Sequence, residues 1–229
     1  GALGTIGIPF DQWTDTIPIT VTDGAVFWMV PGSAPQAPGG SADLTVAQLT
    51  VAAGSSGTVT MGAQGRALSG PPDWQQNNIE WAYAGTGSPP PSPPPPLATG
   101  DYVDPAVTVT AGAPGGWESY ILSVKLKGDA ANMYTIYGKV DSPMTLPAAY
   151  QEATPFGSNT GGVNAALISA SPTAAYDSWL TVGITDGDAS GALGTIGIPF
   201  DQWTDTIPIT VTDGAVFWMV PGSAPQAPG

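Results

Sequence analysis

The chain contains one 39-residue string twice. Residues 1–39 and 191–229 are identical at every position, so the offset is 190 residues (191 − 1 = 190). A fixed period of this kind indicates a repeat architecture, in which each unit packs against copies of itself. We therefore expect a tandem array of modules about 190 residues apart. The alternative is strand exchange between separate chains, in which one copy of the string completes the sheet of a neighbour.

A proline run divides the chain. Seven of the nine residues in SPPPSPPPP, Ser88 to Pro96, are proline. Such a run excludes helix and sheet and favours a semi-rigid polyproline II spacer, about 28 Å long at about 3.1 Å per residue. It predicts that residues 1–86 are the C-terminal part of one module, 87–100 a linker, and 101–229 the N-terminal part of the next. A second proline- and glycine-rich stretch, 31–41, is predicted to be a long loop.

The segments between these stretches have the patterns of strands. YILSVKLKG alternates one series, Tyr120, Leu122, Val124 and Leu126, against a second, Ile121, Ser123, Lys125 and Lys127. PAVTVTAG places Val107 and Val109 on one face. The apolar stretches MYTIYG, AALISA, SWLTVGIT and GAVFWMV are also predicted strands, with Asp-Gly turns at Asp23-Gly24 and Asp186-Gly187. About ten short strands with glycine- and proline-rich turns predict all-β modules. Each is an antiparallel β-sandwich, either jelly-roll-like or immunoglobulin-like.

Composition argues against several classes of function. The chain has no His and no Cys, which excludes Ser-His-Asp and Cys-His catalysis. Its three glutamates, Glu80, Glu118 and Glu152, lie in no recognisable motif, so we expect neither an enzyme nor a cofactor. Eighteen acidic residues against four basic ones give a net charge of −14, which repels nucleic acid. No apolar run approaches the 18 residues that a membrane span needs.

Asp186 and Asp188 are the weak candidates for a metal site. They alternate in TDGDAS and are followed by Ser190, and oxygen ligands at alternate positions can hold Ca²⁺. No bidentate glutamate follows at the required distance, so we favour a turn with solvated carboxylates and predict no metal.

The tryptophans allow three interpretations. Trp13, Trp28, Trp74, Trp81, Trp117 and Trp179 are many for one module. Trp28 and Trp179 lie in strand-like segments and are expected in the core. Exposed rings would instead stack on sugars or lie in contacts between subunits.

The proline run resembles the spacers of algal and plant hydroxyproline-rich glycoproteins of the extensin and pherophorin type. SAPQAP, 33–38, is more weakly similar to the alanine–proline glycan motifs of that family. The resemblance implies hydroxylation and O-glycosylation in two groups of residues, one strong and one weak. The strong group is Pro89, Pro90, Pro91, Ser92, Pro93, Pro94, Pro95 and Pro96, and the weak group is Pro35 and Pro38. Alternating sandwiches and proline spacers also resemble, in architecture alone, the mastigonemes on the surface of protists.

These observations predict a structural protein. It would be a subunit of an extracellular glycosylated fibril, or of a cell-wall or cell-surface filament, whose partners are copies of itself and covalent O-glycans. The alternative is a carbohydrate- or cell-binding adhesin module displayed on a proline-rich stalk, which would place Trp or Asp clusters on an open face.

Overall fold

The protein is a β-sandwich of two antiparallel sheets, as the sequence predicts. A computed structural model describes residues 43–85 and 100–219, together with the strands at 2–6 and 25–29. The strands are β1 (Ala2–Ile6), β2 (Ala25–Met29), β3 (Asp43–Ala52), β4 (Ser56–Gly65), β5 (Trp74–Ala84), β6 (Val103–Thr110), β7 (Trp117–Leu126), β8 (Thr135–Leu146), β9 (Trp179–Leu180), β10 (Leu193–Ile196) and β11 (Ile209–Trp218).

One layer is a five-stranded sheet in the order β10-β11-β8-β4-β5, and the other is a four-stranded sheet in the order β6-β7-β3-β9. The strands β1 and β2 form a separate two-stranded sheet. The core lies between the two larger layers and includes the fully buried side chains of Leu49, Met61, Trp81, Leu122 and Ile136.

The alternation of buried and exposed residues along β7 shows which face of this strand points into the core. Tyr120, Leu122, Val124 and Leu126 are all buried, while Lys125 is exposed, as the period of two predicts. The pattern holds less well in β6, where Val107 packs against the core but Val109 is 61% exposed. β6 is an edge strand, so Val109, which pairs with Tyr120 of β7 near the end of β6, has a neighbouring strand on one side only.

One local prediction is wrong, and one turn-like pair lies inside a strand. AALISA is a short helix, α1 (Ala165–Ala170), because the Asn164 side chain caps it by accepting from the backbone N–H groups of Ala166 and Leu167, both at 3.0 Å. Residues 209–218, which repeat 19–28, form one continuous strand. Their Asp-Gly pair, Asp213–Gly214, lies beside a bulge in β11 and is not a turn between two strands.

Other connecting elements are short. Between residues 100 and 219, two 3₁₀ turns occur, at Pro172–Tyr176 and Phe200–Gln202. None of the helices in the described part of the chain is long and apolar enough to cross a bilayer.

The segments on either side of the proline run belong to the same sandwich. β3 pairs with β7 and β9, and β4 pairs with β8. The predicted division of these segments between two successive modules stays a prediction. Within this chain, however, residues 43–85 complete the sheets of residues 100–219.

Candidate assembly site: the repeated hairpin and its slot

The second copy of the 39-residue string contributes a hairpin to the five-stranded sheet. β10 pairs with β11 from Leu193↔Trp218 to Ile196↔Ala215, and β11 pairs with β8 along its length. Ile209, Val211, Val216 and Trp218 are buried on the inner face of β11. The hairpin therefore covers one end of the core. We call the surface that receives it, made by β8 and the 147–149 and 181–184 segments, the slot.

Two indoles attach the hairpin to the slot. The ring of Trp203 is fully buried, and its Nε1 donates to the backbone oxygen of Pro147 at 2.7 Å. Trp218 Nε1 donates to the backbone oxygen of Val182 at 2.6 Å. The Ala149 amide adds a bond to Thr204 O at 2.9 Å. Because each buried N–H has a partner, the large apolar area of both rings is buried without leaving an unpaired donor.

The first copy forms the same hairpin with the same register. β1 pairs with β2 from Ala2↔Met29 to Ile6↔Ala25. Adding 190 to each number converts Leu3↔Trp28 into Leu193↔Trp218, and the other shared pairs convert in the same way. The register of the hairpin is therefore determined by the string itself and does not require the neighbouring strand β8. The predicted sites Trp13 and Asp23-Gly24 lie outside the described residues.

Asp188 holds the start of the second hairpin. Its carboxylate accepts from the backbone N–H groups of Ala192 at 2.8 Å and Leu193 at 3.0 Å, and from the Ser190 hydroxyl at 3.3 Å. Asp186 lies nearby in an isolated bridge with Gly162. Among the described residues, no group of three acidic side chains is close enough to hold a metal ion. The role that the structure gives to Asp188 is to order the entry into β10.

Most of the described tryptophans belong to the core. Trp74, Trp81 and Trp179 are buried, and the core position predicted for Trp179 is confirmed. Trp117, at the start of β7, differs because it is only partly buried. It packs against Tyr150, with ring centroids 5.5 Å apart and planes inclined by 60°.

A buried carboxyl group, missed by the sequence reasoning, orders the loops beside that aromatic pair. Asp177 is 1% exposed and accepts from the backbone N–H groups of Ser158 at 2.6 Å, Glu152 at 2.8 Å and Ser178 at 3.0 Å. Burial raises the pKa of Asp177 to about 6, although these three bonds favour the ionised form. An isolated Asp before a strand has no periodic signal that distinguishes it from an ordinary turn residue.

A short set of side chains joins this carboxyl to β3. The Gln48 amide donates to the backbone oxygens of Ala175 at 2.9 Å and Asp177 at 2.8 Å. Tyr150 donates its hydroxyl to Glu152 Oε2 at 2.6 Å. These bonds hold the loops of residues 147–178 against the outer face of the four-stranded sheet.

The predicted modification sites cannot be placed on this framework, because all of them lie outside the described residues. They are Pro35, Pro38, Pro89, Pro90, Pro91, Ser92, Pro93, Pro94, Pro95 and Pro96.

Comparisons with protein-family models, with curated proteins and with solved structures find no match for this chain. The interpretation of the site therefore rests on its geometry and on the sequence repeat.

Proposed function

We propose that this protein is a structural subunit of an extracellular fibril or surface filament built from tandem β-sandwich repeats. One observation carries the proposal. The chain holds two copies of a hairpin with one register, whereas the sandwich of residues 43–219 incorporates one of them. The other copy has the residues and the pairing needed to complete the corresponding slot of another module.

A spare hairpin is costly unless it has a partner. The second copy buries Val216 and Trp218 in its slot, and the first copy carries the identical Val26 and Trp28. Burying side chains of this size is worth roughly 1.5–3 kcal/mol each. In a tandem array every module receives one hairpin, so this free energy is gained at each repeat.

The remaining parts of the proposal follow from the resemblance of SPPPSPPPP to hydroxyproline-rich spacers. O-glycans on these prolines would keep an array soluble and separate its modules. The large excess of carboxylates over basic groups would also keep the modules from collapsing on one another.

The native chain, deglycosylated and denatured, tests the array. We expect a mass of many 190-residue units or a ladder of such masses, and electron microscopy of native material should show fibres. A single species near 23 kDa, the mass of this chain, would contradict a covalent array and leave strand exchange between chains as the route to assembly. Peptide mass spectrometry tests the glycans separately, because unmodified prolines throughout 89–96 would contradict them.

The partly buried Trp117–Tyr150 pair favours a second function, an adhesin that binds carbohydrate. The accessible part of a partly buried indole can contact a sugar, and Glu152 lies beside Tyr150. Binding to a panel of immobilised glycans tests it, with Trp117→Ala expected to abolish binding and Lys125→Ala, on the same strand, expected to leave it unchanged. Equal binding by both variants, or none by the native sequence, would reject this second function.

A further inference from the structure

We propose that the outer face of the five-stranded sheet binds a neutral polysaccharide. The inference goes beyond the proposed structural role, because it assigns a ligand to a surface that assembly does not use. This surface is distinct from the Trp117–Tyr150 pair, since Trp117 belongs to β7 in the four-stranded sheet. The two sites make opposite predictions for Trp117→Ala.

Two neighbouring rows of residues form this surface, which we call the neutral face. They point away from the core, because Ile136 and Val216, which lie between the two rows on β8 and β11, are buried. The first row, in strand order from β5 to β10, is Gln75, Gln64, Thr135, Phe217 and Gly194. The second row, in the same order, is Asn77, Gly62, Tyr137, Ala215 and Ile196.

An aromatic ring lies over a glycine in each row. A Cβ atom on Gly62 would lie 2.6 Å from Cε2 and Cζ of Tyr137, and one on Gly194 would lie 2.7 Å from Cε2 of Phe217. The rings therefore occupy the space that a side chain would take, and both residues are partly buried. Tyr137 also donates its hydroxyl to Asn77 Oδ1 at 2.7 Å, which holds its ring in place. Aromatic packing over glycine stabilises a sheet in itself, so the rings alone do not indicate a ligand.

The polarity of the neutral face is the feature that indicates a ligand. Neither row contains a charged residue, although the chain has a net charge of −14. In the next row Lys139 and Asp213 oppose each other, so their charges offset. The exposed positions combine an amide, since Gln75 donates to Gln64 Oε1 at 3.1 Å, with the apolar side chain of Ile196, which is 62% exposed. Such a surface is complementary to an uncharged ligand that has both apolar and hydroxyl groups.

Sugars have both of these features. The C–H groups on one side of a pyranose ring carry partial positive charge and pack on the negative face of an aromatic ring. The hydroxyl groups at the edge of the sugar exchange hydrogen bonds with side-chain amides, which donate and accept. A second copy of the module is a poorer partner, because each copy carries the same negative net charge and the copies repel one another.

The spacing of the two rings selects a chain of sugars over a single one. The ring of Tyr137 lies over β4 and that of Phe217 lies over β10, with β8 and β11 between them. Three strand spacings of about 4.8 Å place the rings roughly 14 Å apart across the sheet. A monosaccharide is too small to contact both rings, so a polysaccharide gains a contact that a monosaccharide lacks.

The docked hairpin supplies part of the neutral face. Phe217 and Ile196 belong to the repeated string, whereas Tyr137 and the side-chain amides belong to the rest of the sandwich. The face is therefore complete only where a hairpin occupies the slot. In an array every module would present one such face, and the repeated contacts would add avidity. This last step rests on the proposed function, but binding by one module does not.

Adsorption to polysaccharides tests the proposal with the 229-residue chain. The probes are microcrystalline cellulose, chitin and insoluble mannan, with bead-bound polygalacturonate as the negatively charged comparison. We expect binding to at least one neutral polysaccharide and none to polygalacturonate. The monosaccharide of the bound polymer should compete poorly, because it contacts one ring at a time.

Two leucine variants test the rings. Tyr137→Leu and Phe217→Leu keep an apolar side chain over the glycine but remove the flat ring. Each is expected to lower the affinity at least about tenfold, whereas Tyr137→Phe should change it by less than about threefold. Val109→Ala, at an exposed apolar position of the four-stranded sheet, and Trp117→Ala are controls that should bind as the native chain does.

Folding of each variant is checked by circular dichroism and thermal unfolding. If a leucine variant does not fold, Ile196→Ser replaces it, because this side chain is exposed and the change leaves both rings in place. We expect it to lower the affinity at least about threefold, through the loss of apolar contact area.

Three results would overturn the proposal. The first is that the native chain binds none of the neutral polysaccharides. The second is that the folded leucine variants bind as well as the native chain, with Trp117→Ala abolishing the binding if the ligand belongs to the aromatic pair. The third is a dimer that forms with increasing concentration and that the leucine variants abolish, which would assign the face to a second copy. All three leave the array to be judged separately, by the mass of the native chain.

Discussion

The two copies of the 39-residue string have identical residues and an identical hairpin register, but different neighbours. β10–β11 lies beside β8 in a five-stranded sheet, whereas β1–β2 forms a sheet of two strands. The comparison separates what the string determines from what its surroundings add. The register depends on the string, since it occurs in both places, whereas the burial of Trp218 depends on the slot. An isolated two-stranded hairpin is marginally stable in water, so most of the stabilisation of the second copy comes from packing.

The slot lies within reach of both hairpins. Trp218 bonds to Val182 O, and the adjacent Gly183 amide donates to Thr45 O near the start of β3. Thirteen residues, 30–42, separate Met29 from Asp43. This length allows the first hairpin to occupy the same position if the second leaves it. The comparison can therefore be tested by identical substitutions in the two copies.

The largest expected effect is that of removing the indole at the slot. Trp218→Ala is expected to lower the free energy of unfolding by roughly 3–5 kcal/mol, because it leaves a cavity and an unpaired Val182 carbonyl. Trp28→Ala should change it by less than about 0.5 kcal/mol. Urea unfolding of the 229-residue chain, monitored by circular dichroism, measures both. If Trp218→Ala is mild but the double variant has the full loss, the first hairpin replaces the second and the two copies are interchangeable.

The next largest expected effect is the change of stability with pH that Asp177 causes, and the two copies should be compared at a single pH for this reason. The pKa of Asp177 is about 6 in the folded protein and 3.8 when unperturbed. The folded state therefore keeps a proton that the unfolded state has lost as pH rises through this window. The contribution of Asp177 to stability is present below about pH 4 and decreases by about 2–3 kcal/mol by about pH 6.

Asp177→Asn removes this titration. We expect the stability of the variant, relative to that of the native sequence, to increase between about pH 4 and pH 6 and to be constant above. Unfolding curves at several pH values provide the measurement. Parallel pH profiles for the two proteins would contradict the raised pKa.

A smaller difference is expected at a glycine of the string. Gly197 has φ +65°, and a Cβ there would press on the backbone oxygen of Asp213. Gly197→Ala is therefore expected to cost roughly 1–3 kcal/mol through backbone strain and a contact that cannot move aside. The same change in the first copy, Gly7→Ala, should have little effect on the unfolding of the sandwich. Equal losses would show that the first copy is also part of the cooperative unit.

Sequence patterns predicted the layers of this fold better than its connections. The period of two in YILSVKLKG identified the buried face of β7, because a strand with one buried face leaves that signal in any context. AALISA has no such signal, and its helical start depends on the Asn164 side chain. Asp213-Gly214 has the composition of a turn, yet pairing of β11 with β8 on both sides of the bulge makes it part of a strand.

The candidate site also has parts that the sequence predicts and parts that it does not. The repeat itself revealed the hairpin, since identity at a fixed period needs no structural knowledge. The slot was not predictable, because it combines β8 with residues such as Pro147 and Val182, which are distant from Trp203 and Trp218 in sequence. Asp177 was missed for a related reason: its burial results from the loops of residues 147–178, and no local pattern encodes it.

The smallest expected effect is at Asp188, which precedes the second copy. Asp188→Asn retains one side-chain acceptor and a residue type that tolerates φ +42°, but removes the charge that attracts the Ala192 and Leu193 amides. We expect a loss of about 0.5–1.5 kcal/mol, confined to fraying of β10, with the amide exchange rates of residues 192–196 increasing more than those of β8. The melting temperature of the native sequence should be the same with Ca²⁺ and with a chelator. A Ca²⁺-dependent rise of more than about 4 °C that Asp188→Asn abolishes would instead identify this loop as a cation site, because 1 kcal/mol shifts a domain of this size by about 2–4 °C.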